Sequence, residues 1–421
     1  MKFSKSGHAL LAAAVSVGIG LGITSCGQSN TVDYLYVTDS KNNPGQISVY
    51  RVDQESGALT QIQDSPYSSG GRNPVAEVTS PNGSNLYVIN HDDNTIVEFA
   101  IGTDAKLYPQ HTYQTPGSEP LALAINKAGT LLFVVDTFQP NGSPQQPGPG
   151  AVVVFPVNSD GSLGTAVANG NLSYWPVGNY PSAVNVLANG NFLYVVNTNS
   201  SISATGINNN TGNPTAPSTN SQGSISAFSV ASNGALTELT NLGSPIQSGV
   251  APNAAASDPT SRFLYVTDGA TNQLIAYTIL STGAITPLQN GPFKTDVFPN
   301  GITIDFTGQY IYVTNFNSND ISAYTIGTDG TPSSLAGGGT FAVDTGPTCV
   351  IVEPALGRFV YTASFLGNSV TGYRLNPNTG LLTGTENSPY PTAGQSTCVA
   401  AVPHGNHASQ HVQATSGNGA S

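Results

Sequence analysis

The chain alternates short apolar runs with clusters of Gly, Pro, Asn, Ser and Thr, and the apolar runs repeat one phrase. It reads LYVTD at Leu35–Asp39, LYVIN at Leu86–Asn90, LFVVD at Leu132–Asp136 and LYVVN at Leu193–Asn197. It returns as LYVTD at Leu264–Asp268, IYVTN at Ile311–Asn315 and VYTAS at Val360–Ser364. Such runs, rich in β-branched and aromatic residues and bounded by turn formers, predict strands. Their aromatics, Tyr36, Tyr87, Phe133, Tyr194, Tyr265, Tyr312 and Tyr361, lie 51, 46, 61, 71, 47 and 49 residues apart. Repeats of about this length with four strands each are propeller blades, since one unit alone cannot bury its apolar face. The pattern therefore predicts an all-β, seven-bladed β-propeller with four-stranded blades.

One unit gives the strand order. Pro74–Thr79 reads as a first strand, Pro81-Asn82-Gly83 as a turn and Leu86–Ile89 as a second strand. His91–Asn94 then forms a loop, Thr95–Ile101 a third strand, and a weaker fourth precedes Pro120. No first strand precedes Leu35, whereas Thr397–Gly405 reads as one at the far end. The C-terminal strand is expected to complete the first blade, which hides two sheet edges. Aligning the first strands on Pro74, Pro120, Pro181, Pro252, Pro299, Pro347 and Ser396 places a small residue two positions on. These are Ala76, Ala122, Ala183, Ala254, Gly301, Cys349 and Cys398, as a crowded central axis requires. The next position is apolar in six units but Glu77 in the other, and a carboxyl there needs a buried partner or a raised pKa.

Loops into first strands and loops between second and third strands share one face of such a blade. Directly after the aligned residues stand Val75, Leu121, Ser182, Asn253, Asn300, Thr348 and Thr397, so five of the seven can hydrogen-bond at the channel mouth. Both long insertions, Thr137–Gly150 and Thr198–Gly223, fall on this face, with aromatics Tyr174, Trp175, Tyr180, Phe293 and Phe298 in the loops entering first strands. Long loops on a rigid scaffold commonly carry binding. The expected binding set is Ser182, Asn253, Asn300, Thr348, Thr397, Trp175, Tyr180 and Phe298.

The N-terminus changes the setting. Lys2 and Lys5, an apolar stretch from Ala9 to Ile23 and the small residues before Cys26 have the form of a secretory signal ending in a lipobox. Lipid on Cys26 would make the membrane a partner and the bacterial cell envelope the location, with Gly27 favouring the outer membrane. The expected organisation is signal 1–26, linker 27–33, propeller 34–405 and a disordered tail 406–421 that holds His407 and His411. The formal charge of -12, with only eleven Lys and Arg, leaves no basic patch and excludes nucleic acid. No cofactor or metal is expected. Asp39, Asn90, Asp136, Asn197, Asp268 and Asn315 read as caps of the loops that follow them, and Asn94, Asn272, Asn319 and Asn368 as turn residues. His91 and His111 read as surface residues, and the chain as a monomer. Cys349 and Cys398 share a register on neighbouring first strands, which an oxidising compartment would allow to pair; two buried thiols are the alternative.

A second repeated phrase follows the third strands: Ser56-Gly57-Ala58-Leu59-Thr60, Asn233-Gly234-Ala235-Leu236-Thr237, Thr282-Gly283-Ala284-Ile285-Thr286 and Thr379-Gly380-Leu381-Leu382-Thr383. Pro-aromatic steps come after it at Pro66-Tyr67, Pro292-Phe293 and Pro389-Tyr390. Together these phrases resemble the YVTN-motif propellers and the seven-bladed lactonase family, with its 6-phosphogluconolactonase-type and carboxymuconate-cyclising members, over residues 33–405. The resemblance implies lactone chemistry at the channel mouth, where enzymatic members carry Pro-His steps and a Gly-Pro-Arg-His phrase. Here the steps are Pro-Val, Pro-Leu, Pro-Ser, Pro-Asn, Pro-Asn, Pro-Thr and Ser-Thr. Lactone opening needs a base and oxyanion donors, so Arg72, Glu77 and Glu119 are the candidate charged groups. Scarce Lys and Arg argue against a phosphorylated substrate. Two readings follow. The first is a binding module presenting the insertion-bearing face to a glycan or peptide; the alternative is a hydrolase of a small, unphosphorylated lactone.

Overall fold

Each repeated phrase forms the second strand of an antiparallel sheet, and seven such sheets form in all. The computed structural model describes residues 30–144, 148–198 and 222–405. Blade two shows the plan: Pro74–Thr79 innermost, then Asn85–Asn90, Thr95–Ile101 and, outermost, Leu107–Gln114. In blades three to seven the inner strands are Ser118–Ile125, Pro181–Val186, Pro252–Ser257, Pro299–Ile304 and Pro347–Val352. Blade one combines the two chain ends. Its inner strand, Ser396–Pro403, pairs with Thr31–Asp39 from Asp33↔Pro403 to Asp39↔Ser396. That second strand opens at Thr31, inside the segment expected as a linker. The signal segment with Cys26 and the tail from 406 lie outside the described residues, as do 145–147 and 199–221 of the two insertions.

The inner strands pack in a closed ring, each against the next. Crowding there explains the small residues. A Cβ added to Gly301 would stand 2.4 Å from Thr314 Oγ1 and 2.7 Å from Thr348 O on the next blade.

The two repeated phrases meet across the blades. Tyr312 Oη donates to Gly380 O of the following blade at 2.8 Å, and Tyr265 Oη to Gly330 O at 2.8 Å. Tyr194 reaches Gly283 O at 2.8 Å, Tyr361 reaches Gly57 O at 2.7 Å, Tyr87 reaches Gly161 O at 2.6 Å and Tyr36 reaches Ala105 O at 3.3 Å. All six tyrosines are fully buried. The phrase after the third strand is thus the acceptor turn for the neighbouring blade's tyrosine. Its glycine also lies on the residue two places before that tyrosine: a Cβ on Gly330 would fall 2.4 Å from Phe263 and one on Gly283 2.2 Å from Phe192. Both glycines have left-handed backbones, φ 86° and 83°, which side chains rarely adopt. Blade three carries Phe133 instead of tyrosine and so lacks the hydroxyl, while the turn of Gly234 on the next blade lies against Leu131, two places before it, where an added Cβ would fall 2.9 Å away.

Candidate functional site

The residues expected at the channel mouth are β-bulges. In blade two, Pro74 pairs with Asn90 and Ala76 with Ile89, so Val75 is the extra residue. The same offset recurs at Leu121, Ser182, Asn253, Asn300, Thr348 and Thr397. A bulge re-aims its side chain, and here it aims within the wall. Thr397 Oγ1 donates to Pro74 O at 2.8 Å, Thr348 Oγ1 to Ser396 O at 3.2 Å and Ser182 Oγ to Pro252 O at 3.3 Å, each on the next blade. Asn253 Oδ1 accepts from Thr267 Oγ1 at 2.7 Å, and Asn300 Oδ1 from Thr314 Oγ1 at 3.1 Å. Of the five polar residues read from sequence as a binding mouth, three therefore staple neighbouring blades together and two bond within their own blade.

One step outward lies a second ring, the residues just before the aligned prolines and Ser396. Asn73, Glu119, Tyr180, Phe298 and Gln395 are left-handed, with φ of 52°, 55°, 49°, 60° and 54°, and Gly346 joins them at 65°. Each non-glycine in this region costs on the order of 1 kcal/mol. Asparagines of the preceding blade hold four of them there. Asn94 Oδ1 accepts the Glu119 N–H at 2.7 Å, Asn272 that of Phe298 at 2.9 Å, Asn319 that of Gly346 at 2.8 Å and Asn368 that of Gln395 at 2.8 Å. These asparagines are clips between blades as well as turn residues. The residues ending the second strands also bind backward, to loops leading into inner strands: Asp268 accepts from Val250 N–H at 2.7 Å, and Asp136 from Gly117 N–H at 2.8 Å.

Between blades two and three this outer ring becomes charged. Arg72 Nε is 2.7 Å from Asp93 Oδ1, and its Nη2 donates to Asp92 O at 2.8 Å. Asp92 Oδ1 also accepts from Asn73 Nδ2 at 3.1 Å and sits 2.8 Å from His91 Nδ1. The other ring nitrogen, Nε2, lies 4.0 Å from Glu119 Oε2. His91 opens a single 3₁₀ turn, His91–Asp93, and its backbone N–H donates to Asn73 O at 3.0 Å. Its side chain is only 14% exposed. The hydrogen bond from His91, with that from Asn73 and the field of Arg72, holds the Asp92 carboxyl below its usual range against the opposing pull of burial. Burial pushes Glu119 up, an effect His91 offsets. Burial and the Glu119 charge also raise Tyr180, whose ring meets Phe138 edge-on at 5.5 Å.

His91 was not legible as a site residue, because the resemblance implies histidine directly after the aligned prolines and His91 stands elsewhere in the repeat. Its signal is its place immediately after Asn90, where the other blades have Ser40, Thr137, Thr198, Gly269, Phe316 and Phe365.

Two expected site residues are corrected by burial. Glu77 is fully buried at the seam of the first two blades, beside the Thr38 and Ala400 amides, so it cannot meet a substrate. Burial pushes its carboxyl well up, and the Cys398 thiol and Asp39 add to the shift. Trp175 begins the outer strand of blade three, pairs with Val152 and packs in the core against blade four. Tyr180 and Phe298 stay half-exposed on the upper face. Cys349 and Cys398 are both buried. His404 lies edge-on to Tyr34 at 4.9 Å. Among the described residues no group of three His, Cys, Asp or Glu is placed to hold a metal ion, and no helix is long and apolar enough to cross a membrane.

Residues 29–140 and 220–352, more than half of the chain, match the family described as lactonase, 7-bladed beta-propeller. The chain belongs to that family. No curated protein matches it. Among solved structures, this lactonase-family propeller is similar to a candidate 6-phosphogluconolactonase from Bacteroides fragilis, at 18% identity and TM-score 0.66 over 89% of this chain and 99% of that one. It is also similar to a periplasmic gluconolactonase from Pseudomonas aeruginosa, at 17% identity and TM-score 0.68 over 88% and 99%. At such identities the likeness is one of fold.

Proposed function

We propose that this lactonase-family propeller hydrolyses an unphosphorylated lactone at the Arg72–His91–Asp92–Glu119 cluster. The observation that carries the reading is the histidine geometry: Nδ1 is fixed by Asp92 at 2.8 Å, which leaves Nε2 toward Glu119 at 4.0 Å. One water can bridge two groups at that separation. His91 then takes a proton from this water as it adds to the lactone carbonyl, and Asp92 steadies the imidazolium that results. The guanidinium of Arg72, half exposed beside the cluster, supplies donors for the developing oxyanion. As the ring C–O bond breaks, the leaving oxygen takes up the proton that His91 drew from the water. Asp92 and Asp93 already face the guanidinium and Glu119 adds a third carboxyl to the cluster, an electrostatic setting that disfavours phosphate. We further propose that lipid on Cys26 holds a monomeric propeller at the cell envelope.

The test is proton release by the purified protein from plain, phosphorylated and aliphatic lactones. Hydrolysis of a plain lactone should fall about 10²–10⁴-fold in His91→Gln, and a substantial drop is also expected in Asp92→Asn. A wild type no faster than buffer, or a His91→Gln variant of full activity, refutes the assignment.

A second reading has its own observation. Val297 and Leu366 stand 45% and 51% exposed in loops of the same face, at blades six and seven across the ring from the charged cluster. With half-buried Phe298, this apolar patch favours a binding module for a glycan or peptide.

A further inference from the structure

Two positions after the aligned prolines and Ser396, where four blades have alanine and one glycine, the last two inner strands carry Cys349 and Cys398. Their strands are neighbours: Pro347–Val352 belongs to blade seven, and Ser396–Pro403 is the closing strand of blade one. The bulges beside them register the two strands, through Thr348 Oγ1 to Ser396 O at 3.2 Å. The two Sγ atoms are 2.9 Å apart, and both residues are buried. No other inner-strand pair in the ring has chemistry that could join it covalently.

We propose that Cys349 and Cys398 are oxidised to a disulfide that locks the closing strand to the last blade. The reaction is thiol–disulfide exchange with a small-molecule or protein disulfide. Two S–H bonds and the donor's S–S bond break, one S–S bond forms in the propeller, and both protons leave on the two thiols of the reduced donor. The location within the fold explains the use. Blade one is the only blade built from both ends of the chain, so its inner strand is the place where the ring can open. Hydrogen bonding to Cys349 and burial push the Cys398 thiol well up, so little thiolate exists once the strand has docked. The exchange therefore belongs to folding, before the seam closes, and the finished bond is sheltered from reductant.

The experiment compares two preparations of the full chain, each reduced in denaturant and refolded with or without a mixture of oxidised and reduced glutathione. Each is then unfolded without reductant in excess maleimide and digested for mass spectrometry. The redox-refolded protein should give a Cys349 peptide linked to a Cys398 peptide, with neither thiol alkylated. Two alkylated thiols in that sample overturn the proposal. Denaturant unfolding reads the locking role. The linked protein should have a higher midpoint than the reduced protein, and the difference should be absent from a Cys349→Ala/Cys398→Ala double variant. That variant keeps the alanine tolerated at the same position in four blades, so it is expected to fold. A linked protein whose midpoint equals that of the reduced protein refutes the lock.

Discussion

The tyrosine ring makes a quantitative claim about how the blades are held together. Replacing Tyr312 by Phe removes one hydroxyl and leaves Gly380 O, its acceptor at 2.8 Å, without that donor inside the protein. An unsatisfied buried carbonyl costs roughly 1–3 kcal/mol, and the loss of the hydroxyl adds only a small void. A propeller of this length unfolds with an entropy near ~0.8 kcal/mol/K, so the expected fall in Tm is only about 2 °C. Denaturant titration followed by tryptophan or far-ultraviolet signals is the better assay, because the midpoint reports the free energy when the slope is unchanged. The converse change supplies the control. Phe133→Tyr places a hydroxyl where blade three alone lacks one, opposite the turn of Gly234, and should raise stability by up to about 1 kcal/mol. The two sites lie in different blades without shared partners, so the effects should add in the double variant. The reasoning fails if Tyr312→Phe shifts stability by less than about 0.5 kcal/mol. It fails equally if Phe133→Tyr destabilises, since the ring would then be a by-product of aromatic packing.

Two further outcomes test the same architecture. Gly330→Ala should cost at least ~2 kcal/mol in denaturant titration, because the added Cβ meets Phe263 at 2.4 Å on a backbone with φ 86°; Ala105→Gly, at the equivalent turn with φ 66°, should be close to neutral because strain relief is offset by a more flexible unfolded chain. Asp136 is fully buried, and burial, opposed by the Gly117 amide and the Thr115 hydroxyl, pushes it up to about 7. Its folded pKa exceeds the unfolded value of about 3.9, so its contribution is fully present below about pH 4 and is lost as pH rises through about 7. Asp136→Asn, the residue blades two, four and six already use, should therefore stabilise the protein at pH 8 by at most about 4 kcal/mol, a gain that shrinks to nothing near pH 4 in midpoint measurements at both pH values.

What could be read in the sequence and what could not divide along a physical line. The seven strands, their inner small residues and the borrowed closing strand were legible because each blade solves the same packing problem with the same local pattern. The bulges were not. The extra residue of each bulge carries no turn-former or other sequence mark of its own, yet it aims Ser182, Thr348 and Thr397 onto the next blade's backbone. The tyrosine–glycine bond was half legible, for both phrases stood out while the contact between them crosses the blade boundary. The charged cluster comes from three separate segments, those holding Arg72, His91–Asp93 and Glu119, drawn together by the Arg72–Asp93 pair, the His91 amide on Asn73 O and the clip from Asn94 to Glu119, none of which a sequence displays.

Repetition itself then separates structure from chemistry. Wherever a polar residue recurs around the ring, as with the bulge hydroxyls, the clip asparagines and the acids ending second strands, a hydrogen bond between or within blades accounts for it. A ring of equivalent blades needs each such bond many times, whereas a substrate needs its groups once. Chemistry is therefore to be sought where the repeat breaks. Glu77 breaks it and is buried, so there the exception concerns the wall. His91 and Glu119 break it at adjacent positions on the upper face, one held by an acid and the other by a strained backbone, and both keep some exposure. A carboxyl and an imidazole stand where the other blades have uncharged groups, and there, among the described residues, a broken repeat, a fixed geometry and access to solvent coincide.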